Sequence, residues 1–348
     1  VTHLVSHGRR NPRRRWYLLV AVLGLAGLVG VGVAVLRPRP TSGAPGGHPA
    51  GAARGDLIFH RLADPDRTEV DGPDGRRIAV FTDGARTVAL EGPQRTFAEP
   101  AYTTATVTTT TWVRLAPHEW RDSDRDAGWL RPWLATAAQD TSPDAFAVAM
   151  QYIHDAPPLT DSTGLRYAGD ASFGPVDPRD PDGRAEANDF YDYLGIDWTF
   201  PDAGLVHPKR SRLGDIDCSG FLRMVYGYRL GYPLRDLNTP GEGLPRRAYA
   251  MSRYGPGVEV ITERGAPVPA DEYARLQPGD LLFFDTDPST VGQNDHSGIY
   301  LGRDDAGHYR FISSRAKADG PTLGDYGGPA ILDGGGHFSR LLRNSRRL

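Results

Sequence analysis

The 348-residue chain holds a single cysteine, Cys218, in the run Asp217-Cys218-Ser219-Gly220-Phe221. With no second cysteine to pair with in this sequence, its thiol is either a small packing group or a reactive one. Phe221, Leu222, Val225 and Tyr226 follow at offsets of three, four, seven and eight. That is the spacing of one helical face, and it predicts a helix opening at Cys218. Free amides and the positive end of the helix dipole at such a position favour the thiolate, the form that attacks a carbonyl. A nucleophilic thiol also needs a base within hydrogen-bond reach and a third group to orient that base. His296 is the candidate base, at the mouth of the apolar run from Ser297 to Gly302, which reads as a strand. A buried strand from Leu281 to Phe284 precedes it, after the turn Gln277-Pro278-Gly279-Asp280, and His308 to Ser313 returns as a third strand. His154 and His207 have no second ligand at a spacing such as H-E-x-x-H, so no metal and no cofactor is expected.

The elements that would position this pair lie in a chain of uneven composition. Length gives a prior of about two domains, and 39% hydrophobic residues are enough for packed cores. The net charge of -3 conceals an asymmetry, because residues 1 to 55 hold eight arginines and no acid. The remainder carries 32 basic against 43 acidic residues, a balance that argues against a nucleic-acid partner. Trp16 to Leu36 runs 21 residues without a charge, enough to cross a hydrocarbon core of about 30 Å as a helix. Five arginines precede it, which places the N-terminus in the cytoplasm and everything after Leu36 outside, at the plasma membrane. The competing reading is a cleaved signal peptide and a secreted protein.

Five segments follow from this pattern: a basic cytoplasmic tail at 1–15, a transmembrane signal anchor at 16–36, a disordered Pro/Gly/Ala linker at 37–55, a small β-rich domain at 56–117, and a catalytic domain at 118–348 with loop-rich insertions. Within the β-rich segment the strands expected are Leu57 to His60, Ile78 to Phe81, Thr87 to Leu90 and Thr103 to Leu115. That unit is either a binding module or a structural platform. Helical patterning covers Trp129 to Ala138, Pro143 to His154 with Ser142 as N-cap, and a short stretch near Ala185 to Leu194.

A cysteine-bearing helix packed on an antiparallel sheet bearing a histidine is the papain-like arrangement, and the fold class expected is α+β, with this catalytic domain preceded by the small β-rich unit and a single transmembrane helix. The motifs resemble those of the NlpC-type peptidoglycan endopeptidases, papain-like enzymes of the bacterial envelope, over roughly residues 194 to 316. The resemblance rests on D-C-S-G-F at 217 to 221, L-P-R at 244 to 246, L-Q-P-G-D-L-L-F-F at 276 to 284 and H-S-G-I-Y-L-G at 296 to 302. Upstream, Gly195 to Phe200 is similar to a glycine-then-aromatics block, with Trp198 where the family usually has tyrosine. The interval from Cys218 to His296, 78 positions, is longer than is usual there.

The resemblance implies a membrane-anchored, actinobacterial-like thiol peptidase that cuts a peptidoglycan stem peptide, typically between γ-D-glutamate and a diamino acid. Cys218 would attack, His296 would serve as base and then acid, and backbone amides near Cys218 would hold the oxyanion. The family places a His, Asn or Gln on the returning strand to orient the base; this sequence offers Ser313 there, with Ser314 and then Asp295 as alternatives. Asp217 and Ser219 become substrate-binding residues by the same resemblance, as does Trp198, while Asp217 also reads as a helix N-cap. The alternative function is a catalytically weak wall-binding or scaffold protein that keeps the fold; an acyltransferase or amidase is a third.

Overall fold

The computed structural model describes residues 56–348 apart from residue 179. The first five strands form an antiparallel meander: β1 (Ile58–Leu62), β2 (Arg67–Asp71), β3 (Arg77–Thr82), β4 (Thr87–Ala98) and β5 (Thr106–Leu115). β2 was not expected from the sequence, where Arg67, Glu69 and Asp71 obscure an inward face formed by Thr68 and the fully buried Val70. In the threonine-rich β5, Val107 and Val113 point inward and are buried, while Thr108 on the alternate face is exposed. Helix α1 (Leu130–Ala137) covers one face of this sheet, where Leu130 and Leu134 meet Val70, Phe81 and Trp120.

Helix α2 (Ala145–Ala149) is shorter than its periodicity suggests, and Asp144 caps it rather than Ser142, accepting from the Ala147 amide at 3.1 Å. The reason is tertiary. The Asp144 carboxylate is fixed by both terminal nitrogens of Arg95, at 2.7 and 2.5 Å, and by the Val113 amide at 2.7 Å, so the helix begins where the sheet holds its cap. Three short hairpins follow along the chain, β6 (Leu159–Thr160) with β7 (Arg166–Ala168), β8 (Val176–Asp177) with β9 (Asp180–Arg184), and β10 (Trp198–Phe200) with β11 (Gly204–Val206). Between the last two lies α3 (Phe190–Leu194), capped by Asp189 and closed by Gly195 in a left-handed conformation. Helix α4 (Cys218–Leu222) runs on into a wider, π-helical stretch over Arg223–Arg229, and α5 (Ala248–Tyr254) follows.

The second sheet has six antiparallel strands in the order β12 (Val258–Ile261), β17 (Leu342–Arg347), β13 (Leu281–Phe284), β14 (His296–Arg303), β15 (Tyr309–Arg315), β16 (Gly320–Thr322). β13 is apolar at every position because both its faces are covered. Leu281 and Phe283 join one core with Phe221, Val225 and Ile299, while Leu282 and Phe284 join another with Phe311 and Phe338 of helix α6 (His337–Leu341). Gly279, at φ +100°, makes the turn into it, and its carbonyl accepts from the Tyr226 hydroxyl at 2.6 Å.

The two sheets are stapled by buried polar groups. Arg347 of β17 gives two hydrogen bonds to the Asp280 carboxylate, at 2.7 and 2.8 Å, and a third to Thr82 of β3 at 2.8 Å. Glu99, just after β4, accepts from the Thr322 hydroxyl and the Leu323 and Gly324 amides beyond β15, at 2.6, 2.9 and 3.1 Å. Burial raises the Glu99 pKa, although these donors pull the other way.

The expected fold class is corrected. The described fold is mostly β rather than α+β, with 17 strands and α-helical segments of no more than eight residues, because most of the chain between the helices pairs into strands and hairpins. No helix among the described residues is long and apolar enough to cross a membrane, so the single transmembrane helix is no part of this fold. The tail, anchor and linker expected at 1–15, 16–36 and 37–55 lie outside the described residues.

Replacing Asp280 by Ala leaves Arg347 buried without its anion, and the expected loss is about 3–5 kcal/mol of folding free energy. Urea unfolding followed by tryptophan fluorescence measures it; a loss within about 0.5 kcal/mol, the size of a surface effect, would contradict the staple.

Candidate active site

Cys218 is the first residue of α4 and is buried. Asp217 caps the helix, accepting from the Gly220 amide at 2.7 Å. Gly220 has no room for a side chain, since a Cβ there would sit 2.4 Å from the Asn188 carbonyl oxygen. The spacing Asp-Cys-Ser-Gly therefore has a physical content, a cap, a thiol on the first turn and a close approach of two chain segments. The helix packs on β14 and β15.

The Asp217 carboxylate is a crowded acceptor. Arg246 donates to it at 2.7 and 3.3 Å, the Ala187 and Asn188 amides at 3.0 and 3.1 Å, and the Ser219 hydroxyl at 3.1 Å. Arg246 also donates to the Ser219 oxygen at 2.8 Å and approaches Asp189 at 3.5 Å; Asp189 in turn pairs with the fully buried Arg223 at 3.0 Å. Burial works against the Asp217 charge, yet Arg246 and the cap hydrogen bond hold its pKa below the usual carboxylate value. Both Asp217 and Ser219 border the cleft, but their polar atoms are committed to this network.

His296 opens β14, as the sequence suggests, between Phe284 at 5.8 Å and Phe338 at 5.6 Å, the latter stacked at 29°. Its Nε2 is buried and meets no hydrogen-bond partner among the described residues. Ser313, on β15, is fully buried and its oxygen accepts from Arg315 Nε at 2.9 Å; no hydrogen bond among the described residues joins it to His296. Ser314 points to the other face and donates to the Ile216 carbonyl at 2.6 Å, tying β15 to the segment just before the thiol. The Asp295 carboxylate is taken by the Thr286 amide and hydroxyl and by the Asp287 amide, while its carbonyl oxygen lies 3.7 Å from Cys218 Sγ. Trp198 does not line the cleft; it packs edge-on against Phe190 at 5.0 Å and Tyr228 at 5.9 Å.

Cys218 and His296 line one cavity of about 820 Å³. The thiol there is not the thiolate that a helix start favours. Burial pushes its pKa up, Asp217 and Glu186 add to that, and the nearby Ser297 offsets only part. His296 is pushed down to about 3, by burial first and then by the positive charges of Arg315 and His337, against a small opposing effect of Asp217. The resting pair is thus a neutral thiol and a neutral imidazole. Arg315 itself is brought down to about 9 by burial, and its guanidinium lies 4.6 Å from the centre of the Phe338 ring.

The sequence reading did not single out Arg315, Glu186, Arg247 or Phe338. Arg247 and Glu186 face each other across the cleft mouth at 3.4 Å. They come from loops 61 positions apart, with no local pattern to reveal them. Arg246 was noticed only as part of L-P-R. His154 lies with Asp155 and Asp170 in an exposed group whose ligand atoms are within 4.8 Å of one another, and none of the three lines the cleft. His207 is hydrogen-bonded to Asp197 at 2.8 Å on the surface.

Fold and site together define a class: a cysteine and a histidine in one cleft, carried by a short helix and by the antiparallel sheet it packs on. Residues 204–320 match the family model described as NlpC/P60, so the chain carries an NlpC/P60 family domain there. The matched segment is about a third of the chain and includes Cys218, His296 and Ser313 but neither Trp198 nor Glu186. Among solved structures, NlpC1 from Trichomonas vaginalis is similar at 13% identity, covering 85% of this chain and 78% of that one with a TM-score of 0.28. No curated protein matches the chain.

Two pH profiles follow. Alkylation of Cys218 by iodoacetamide should stay slow through neutrality and climb only above the ordinary thiol range, with Glu186→Gln moving the rise to lower pH; a rate already at its plateau at pH 7 would contradict the raised pKa. For His296 the folded pKa lies below the unfolded value of 6.5, so the unfolded state binds the proton first and stability falls as pH drops from about 6.5 towards about 3. Each unit of that shift amounts to about 1.4 kcal/mol. Urea unfolding of wild type and His296→Gln at pH 7 and pH 5 should show the difference between them shrinking at the lower pH; an unchanged difference would sink the assignment.

Proposed function

We propose that the protein is a cell-wall hydrolase that cuts an amide bond in peptidoglycan stem peptides, with Cys218 as nucleophile and His296 as base and then acid. The observation that carries this reading is that Cys218 and His296 line one cleft inside the segment that matches the NlpC/P60 family. The bond we assign is that between γ-D-glutamate and a diamino acid, and the setting is the cell-wall side of the envelope.

Because both groups rest neutral, the thiol proton passes to His296 as the sulfur–carbon bond forms, instead of from a preformed ion pair. His296 then returns that proton to the leaving amine, and water, deprotonated by the same imidazole, cleaves the thioester. The first amides of α4 supply donors for the oxyanion. Ser313 takes no direct part in these proton transfers. Its oxygen is engaged by Arg315, so it steadies the returning strand and sets where that cation sits.

A second reading, a wall-binding protein with weak chemistry, is favoured by one observation, the cation of Arg315 acting on a base that must become positive. Cys218→Ala separates the two. Purified wild-type protein should release stem-peptide fragments from muropeptides, detected by mass spectrometry, and the variant should lose at least about a thousandfold in rate while melting normally. Equal release by both proteins would overturn the thiol mechanism. No release by wild type, with retention on insoluble peptidoglycan, would favour the binding protein.

A further inference from the structure

One buried hydroxyl beside the base is left idle by the chemistry above. Ile299 and Ile312 are partners across β14 and β15, so the next pair towards His296 is Gly298 with Ser313. The close approach there agrees: a Cβ on Gly298 would lie 3.3 Å from the Ser313 Cβ. His296 shares the face of Gly298, one alternation along β14, which makes it the diagonal neighbour of Ser313 and brings Arg315 opposite it. Gly298 puts no side chain between the imidazole and the hydroxyl.

Three buried polar groups meet at this end of the strands, and one bond joins them. Arg315 Nε donates to the Ser313 oxygen at 2.9 Å, and its Nη1 donates to the carbonyls of Gly324 and Gly328 at 3.3 and 2.7 Å. Arg315 Nη2 and His296 Nε2 are both buried with no hydrogen-bond partner among the described residues. The guanidinium is fixed further by the Phe338 ring, 4.6 Å away, which also stacks on His296. The charges that bear on the ring are the cations of Arg315 and His337 and, opposing them, Asp217. A proton on Nε2 would thus be enclosed beside a cation with no acceptor. Of the two neutral tautomers the one protonated at Nδ1 is favoured, because a buried donor without an acceptor costs more than a bare nitrogen near a cation.

We propose that Arg315 is a positioning residue that withholds the Ser313 hydroxyl from His296 and so keeps the neutral imidazole protonated on Nδ1. Nε2 is enclosed, so Nδ1 is the nitrogen left to meet the thiol, and a protonated Nδ1 cannot accept from sulfur. With the guanidinium gone, the Ser313 oxygen accepts from Nε2, the ring keeps its one proton there, and the Nδ1 lone pair is released towards the cleft. The role rests on the peptidase reading for its effect on rate, though not for its effect on the ring.

Nitrogen NMR of the full chain with isotope-labelled histidine tells the tautomers apart, the His296 signals being those lost in His296→Gln. At neutral pH wild type should carry the proton on Nδ1, and Arg315→Met should move it to Nε2. Arg315→Lys, which keeps a donor and a charge, should stay with wild type. On muropeptides Arg315→Met should raise kcat about tenfold with KM unchanged, and adding Ser313→Ala should remove the gain and return the proton to Nδ1. An arginine with only a structural role would lower the rate in the Met variant instead. A wild-type proton on Nε2 overturns the proposal, and that measurement needs no variant at Arg315 to fold. So does an unchanged tautomer in folded Arg315→Met, or a gain that survives Ser313→Ala. The expected tautomers in proteins that cleave no muropeptide leave the positioning role standing and sink the peptidase reading.

Discussion

The buried pair of Asp217 and Arg246 is the constraint on which the site depends. One carboxylate caps the helix that begins with the thiol, receives the amides of the loop before α3, and holds an arginine that reaches on to Ser219 and Asp189. Two charges withdrawn from water in this way add little to net stability, because desolvation consumes much of their attraction. Their effect is to specify one arrangement. Each additional donor that Asp217 satisfies removes an alternative position for the first turn of α4, and the thiol has no freedom that the carboxylate lacks.

A second constraint acts between the sheets. β4 and β5 contribute Phe97, Val107 and Val113 to the core that also contains Phe221 of α4 and Ile299 of β14. The meander is therefore packed into the same interior as the helix of the thiol. Through Glu99 it also fixes the loop whose Gly324 carbonyl accepts from Arg315. A path of hydrogen bonds thus runs from the end of β4 to the guanidinium that bears on the imidazole.

How far the sequence could be read depended on the range of the interactions involved. β13, α4 and the position of His296 follow from local periodicity, because covering two faces of a strand or one face of a helix leaves an alternation that a short window captures. The side on which Ser313 and Ser314 point was legible for the same reason. The partner of Ser313 was not, since Arg315 lies on the same face and its five donors outcompete a neighbour for the hydroxyl oxygen. The start of α2 at Ala145 and the retreat of Trp198 into an aromatic cluster reflect tertiary contacts that no local pattern records. The thiolate expectation failed on magnitude: the first turn of a five-residue helix contributes less than full burial beside two carboxylates removes.

The protonated state of Cys218 also bears on its chemical durability. Oxidation to sulfenic acid and beyond begins from an accessible thiolate, and a lone cysteine has no neighbouring thiol to rescue the first oxidation product as a disulfide. A sulfur kept neutral in a covered position presents little of the form that peroxide attacks. Suppressed nucleophilicity at rest is, in an oxidising environment, the same property as a long service life.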